Sequence, residues 1–104
     1  MLFRSGVNNP YRYQYETVAA SQTAQVLGGT GAVGDYLNRV IVTVNTALTG
    51  TVSLVDGSTS ISLVPASIAV GTYSIPIEAA SQTGAWKITT GAGATVIAVG
   101  IFSA

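Results

Sequence analysis

No stretch of this sequence sustains a helical apolar period for more than two turns. Apolar and polar side chains instead alternate in short runs, most of them closed by a glycine, a proline or an Asp-Gly pair. A period of two puts successive side chains on opposite faces of a strand, and a series of such runs folds as antiparallel sheet. Side-chain shape points the same way. Val, Ile and Thr supply 34 of the 104 residues and Leu only six. Branching at Cβ restricts χ1 in a helix but suits a pleated surface.

Residues 11–18 alternate cleanly, with Tyr11, Tyr13 and Tyr15 on one face and Arg12, Gln14 and Glu16 on the other. A short strand candidate at 24–27 precedes the glycine-rich stretch 28–34, and residues 35–44 form the strongest strand candidate. Residues 51–55 and 60–64 flank Asp56-Gly57-Ser58-Thr59, a hairpin signal. Residues 72–78 alternate around Pro76, which has no N–H to give a ladder and so predicts an edge or irregular strand. In 85–90, Trp86 shares a face with Ile88, which predicts core packing for the indole. The last run, 95–102, is apolar on both faces and predicts a central, doubly covered strand. About eight strands spaced by turn signals predict an all-β fold, an antiparallel β-sandwich that is jelly-roll-like. Residues 11–104 form its single domain, and residues 1–10 an extended N-terminal arm. Two readings of that arm stand side by side: a frayed terminus, or a segment whose Met1-Leu2-Phe3 docks on a neighbouring subunit.

One internal echo recurs at a fixed offset. Residues 19–23 (AASQT) reappear at 79–83, and Thr30-Gly31-Ala32 reappears as Thr90-Gly91-Ala92. These are small, common residues, so the echo reads as convergent turn chemistry in segments that join strands.

Only eight side chains are charged: Arg4, Arg12, Arg39 and Lys87 against Glu16, Asp35, Asp56 and Glu78. That is 8% of the chain, against roughly 25% in an average soluble domain. Mean hydropathy is +0.51. Such a chain is neither a charge-rich disordered tail nor an electrostatic nucleic-acid binder, which needs clustered Lys and Arg. The tyrosine ladder at 11–15 has only Arg4 and Arg12 near it in sequence, too few for a single-strand platform. Zero net charge favours association. The longest apolar runs, such as 96–102, fall well short of the ~20 residues of a spanning helix. Residues 1–10 lack a secretory apolar region, so synthesis in the cytoplasm and no membrane partner are expected.

There is no cysteine and no histidine, which removes disulfides, Cys/His zinc sites and imidazole proton transfer. The glycine run 28–34 lacks a following Gly-Lys-Ser/Thr and leads into a strand, so it reads as an inter-strand loop rather than a phosphate cradle. Asp35 and Asp56 sit at turns, and Glu16 and Glu78 at strand ends or polar faces. No spacing suggests a carboxylate pair, and no Asp-x-Asp run suggests calcium. The expectation is a protein that is not an enzyme, with no catalytic residue, no cofactor and no metal.

Residues 13–35 (YQYETVAASQTAQVLGGTGAVGD), 56–61 (DGSTSI) and 84–92 (GAWKITTGA) together resemble a group of small all-β proteins encoded in bacteriophages and prophages. The resemblance covers most of residues 13–102 and leaves residues 1–12 outside. Its motifs are turns and loops that carry no chemistry. It implies a virion structural protein, above all a capsid cement or decoration protein. Such a protein sits as a dimer or trimer on the major capsid protein and clamps adjacent capsomers of the head. The contact candidates are Met1, Leu2, Phe3, Tyr11, Tyr13 and Tyr15. The alternative is a head- or tail-fibre module that binds a host receptor or a glycan, with an exposed Trp86 or Tyr36 as its stacking residue.

Overall fold

The computed structural model describes residues 13–103. These form eight strands: β1 (Gln14–Val18), β2 (Gln25–Val26), β3 (Tyr36–Val44), β4 (Val52–Asp56), β5 (Thr59–Val64), β6 (Gly71–Ala80), β7 (Trp86–Thr89) and β8 (Ala94–Ile101). The described residues contain no helix. The strands make two four-stranded sheets, ordered β1-β8-β3-β6 in sheet I and β2-β7-β4-β5 in sheet II. Every pairing is antiparallel.

The order has a simple origin. The first strand pairs with the last, β2 with β7, β3 with β6 and β4 with β5. The chain is therefore one long two-stranded ribbon, closed by the β4–β5 hairpin, whose successive segments lie alternately in sheet I and sheet II. The closing turn is the one the sequence predicts. Asp56 pairs with Thr59, which leaves Gly57-Ser58 as a two-residue loop. Gly57 has φ 62°. A positive φ at the first central position matches the twist of a hairpin and favours glycine there.

Sheet I contributes Val18, Leu37, Val40, Val42, Val44, Val96 and Ala98 to the core, and sheet II contributes Val52, Leu54, Val64, Trp86 and Ile88. Each of the larger aliphatic side chains gains about 1.5–3 kcal/mol from full burial. Leu37 and Val40 both point inward although they are three residues apart. A bulge makes this possible: Leu37 pairs with Gly100 and Arg39 with Val99, so Asn38 is an extra residue on β3. A bulge flips the parity of the strand that carries it.

Two strand expectations meet the structure differently. β6 lies at the edge of sheet I, as Pro76 requires. β8 is central, between β1 and β3, but it is covered on one face only. Its inner residues are Ala94, Val96, Ala98 and Gly100, whereas Ile97 and Ile101 on the outer face are each 37% exposed. Among the described residues no further layer lies over that side, so the doubly covered position is corrected to a singly covered one.

The sequence echo marks the corners where the ribbon passes between sheets. At one corner Thr90 N–H donates to the Gln22 carbonyl at 2.9 Å and Ser21 N–H to the Gly91 carbonyl at 2.7 Å. The Thr90 hydroxyl donates to the Ala19 carbonyl at 2.7 Å and accepts from Gln22 N–H at 3.0 Å. At the other corner Ser81 N–H donates to the Asp35 carbonyl at 3.0 Å and Gly34 N–H to the Ser81 carbonyl at 3.1 Å. Ser81 and Thr90 are the buried polar side chains of the described residues. Each copy of the echo thus faces the other half of the motif across the ribbon, and shared turn geometry accounts for both. Thr90→Val keeps the shape and removes the hydroxyl, leaving an N–H and a carbonyl without their partner. A loss of about 1–3 kcal/mol in urea unfolding is expected, and a change within ~0.5 kcal/mol, the range of ordinary surface substitutions, would contradict it.

Candidate functional site

Three of the four acids are ties inside the fold. Glu16 points inward from the edge strand β1, where one carboxylate oxygen accepts from Gln25 Nε2 and the other from Gly28 N–H, each at 2.7 Å. It joins sheet I to sheet II, and an inward charge also protects an edge strand from strand addition. Asp35 accepts from Ser103 N–H at 2.9 Å, Ser103 Oγ at 2.7 Å and Ala32 N–H at 3.1 Å. These bonds hold the glycine-rich loop 28–34, which joins β2 to β3, against the last described residues. Asp56 does more than end a strand: it accepts from the N–H groups of Gln82, Thr83 and Gly84 at 2.9, 3.0 and 3.1 Å.

The N–H groups of Thr83 and then Gln82 hold the Asp56 carboxyl below the usual carboxylate range. The stabilisation from this site is complete above the unfolded value, near ~3.9, and is lost as pH falls through the lower folded value. Asp56→Asn is therefore expected to melt below the wild type at neutral pH, with the gap closing in acid. Melts from neutrality down to about pH 2 would show it, and a gap independent of pH would contradict it.

Glu78 is the exception. It sits in a β6 bulge, where β6 carries one more residue than β3 between the pairs Leu37–Ala79 and Arg39–Pro76. Its φ is 54°, an uncommon conformation for a residue with a long side chain. Among the described residues its carboxylate has no hydrogen-bond partner. It lies beside Tyr36, whose hydroxyl is held above the ordinary tyrosine value by burial, then by Tyr13 and Glu78.

Tyr36 and Glu78 border the feature that distinguishes this molecule, the outer face of sheet I. Paired residues on adjacent strands share a face. One row across the sheet reads Tyr15, Val99, Arg39, Pro76, and the next Thr17, Ile97, Ile41, Ser74. A third reads Ile101, Tyr36, Ala80. Tyr13 closes that row by stacking on Tyr36, with ring centroids 6.0 Å apart. Tyr15 is 74% exposed and Tyr13 46%. Arg39 sits within the face and donates to the Ser74 hydroxyl at 2.6 Å. The outer face of sheet II is different. Its rows pair Ser53 with Ser62 and Thr89, and Val55 with Ser60 and Lys87. One side of the fold is apolar and aromatic, and the other is mostly hydroxylic.

Of the contact candidates, Tyr13 and Tyr15 lie on the apolar face, while Met1, Leu2, Phe3 and Tyr11 lie outside the described residues. Trp86 is 3% exposed and faces the core, so it offers no stacking surface. Ile97, Val99, Ile101 and Ile41 belong to the face as well and were not among the candidates. Their signal was the second apolar side of 95–102, which read as burial within the chain. The described residues contain no cluster of three acids that could hold a metal ion. Comparison with protein-family models, curated proteins and solved structures returned no match.

Proposed function

We propose that this chain is a structural protein of a bacteriophage virion: a capsid cement or decoration protein that binds the major capsid protein and stabilises the head by bridging its subunits. The apolar outer face of sheet I carries this reading. Contiguous exposed apolar surface on a small domain marks a contact with another macromolecule. Covering it gains roughly 25 cal/mol per Å² of apolar area, less the cost of association. The strand pairing supports reading the fold as a jelly roll, an architecture shared by viral capsid and lectin domains. The protein is then part of the virion after synthesis in the host cytoplasm. Stripping it from particles and heating the shells tests the proposal. Stripped shells should open at a lower temperature and recover on re-addition of the protein. Shells of unchanged heat resistance would overturn it.

One observation favours the fibre-module alternative. The stacked Tyr13–Tyr36 pair has Asn38 and Glu78 at its margin, aromatic surface beside polar groups as a saccharide would need. A glycan array separates the two: a specific glycan hit abolished by Tyr36→Ala favours the fibre module.

A further inference from the structure

We propose that the outer face of sheet I receives residues 1–12 of a second copy of the chain. The proposal rests on reading that face as an assembly surface, and it names the occupant.

The charges divide unevenly along the chain. Residues 1–12 hold Arg4 and Arg12 and no acid, whereas the remainder holds two cations and four acids. The zero net charge is therefore a segment of +2 attached to a body of −2. Glu16, Asp35 and Asp56 already accept hydrogen bonds inside the body. Glu78, at the margin of the apolar face, accepts no hydrogen bond among the described residues and is the acid that can answer an external cation. The segment matches that face in kind. Met1-Leu2-Phe3 precedes Arg4, an apolar triplet followed by a cation. The face carries the Ile97, Val99 and Ile101 stripe, and Ile101 pairs with Tyr36, which neighbours the Glu78 carboxylate.

Position and length agree. Tyr13, where the segment joins the body, lies in the end row of the face against Tyr36. Twelve residues reach about 40 Å when extended, and the eight residues of β8 span about 27 Å. The segment is long enough to leave one body and cross the face of the next. A donor segment and an acceptor face on the same chain are different surfaces, so their contacts are heterologous and close as a reciprocal dimer or a small ring.

Complementary variants of the full chain test this. Phe3→Asp spoils the donor and keeps the face; Ile97→Asp spoils the face and keeps the donor. By light scattering the wild type should be a dimer or trimer and each variant alone a monomer. An equimolar mixture should form a one-to-one pair, because one intact segment meets one intact face. Symmetrical packing of two faces would not be rescued by mixing. Ile97→Asp should melt with the wild type, since Ile97 points outward; the melt of Phe3→Asp is measured beside it, and Leu2→Asp replaces it if it melts early. If Ile97→Asp melts early, Ile101→Asp on the same face takes its place. Glu78→Gln should weaken association about two- to fivefold, less at high salt. A monomeric wild type, or a mixture that stays monomeric, would overturn the proposal. Shell protection measured in parallel keeps the two readings apart. A monomer that still protects shells overturns segment exchange alone; an oligomer that protects nothing overturns the cement role alone.

Discussion

Ile97→Asp combined with Ile101→Asp should abolish binding to the shell while leaving the fold intact. Both side chains are on β8, on the side opposite the core residues Val96, Ala98 and Gly100, and both are partly exposed in the isolated chain. Replacing them costs the core nothing, so the melting temperature should stay close to that of the wild type. Docking would bury two carboxylates with no planned partner. An uncompensated buried charge costs about 3–5 kcal/mol, so affinity should fall by at least roughly a hundredfold. Ser62→Asp on the outer face of sheet II is the matched control and should bind as the wild type does. Equal binding by the double variant would place the contact elsewhere on the molecule.

The second large effect lies in the core. Trp86→Ala should destabilise the fold by about 3–5 kcal/mol, the range for removing a buried aromatic. A domain of this size is stable by about 5–15 kcal/mol, so the variant should be close to unfolding at ordinary temperatures. Trp86→Phe should behave quite differently. The indole N–H of Trp86 has no hydrogen-bond partner among the described residues. Burying such a donor costs about 1–3 kcal/mol, and phenylalanine removes it. The volume lost on going to phenylalanine opposes that gain, so the net change should stay within about 1.5 kcal/mol. Urea unfolding of the two variants measures both. A Phe variant as weak as the Ala variant would mean that the indole nitrogen contributes to stability.

Much of this fold could be read in advance because its strands obey local rules. Asp56-Gly57 marked the closing hairpin, Pro76 marked the edge, and the shared parity of Trp86 and Ile88 put both in the core. What local rules cannot supply is sign. The alternation at 11–18 separates tyrosines from polar residues but does not say which set faces inward. Here Glu16 faces inward, because Gln25 and Gly28 satisfy its carboxylate, and the tyrosines face outward. The same gap misplaced the second face of β8. A strand that is apolar on both sides is covered twice, but nothing in its own residues says whether the second cover belongs to the same chain. Asp56 shows a third kind of gap. Its turn position was evident, while its partners at 82–84 lie in a loop far along the chain. The bulge at Asn38 was likewise invisible until Leu37 and Val40 were seen to share the core.

The four acids and Arg39 now have distinct places. Three acids tie the two sheets and their loops together, and Glu78 stands at the edge of the apolar face with Arg39 inside it. That so little charge is spread over sheet I is what makes its outer face suited to contact. The most direct test is hydroxyl-radical footprinting of the monomeric Phe3→Asp variant, whose sheet I face is open, beside the wild type on the assembled particle. Tyr13, Tyr15, Ile97 and Ile101 should lose most of their labelling on assembly, while Val55 and Lys87 on sheet II keep theirs. Equal labelling of the sheet I residues in the two states would contradict the account.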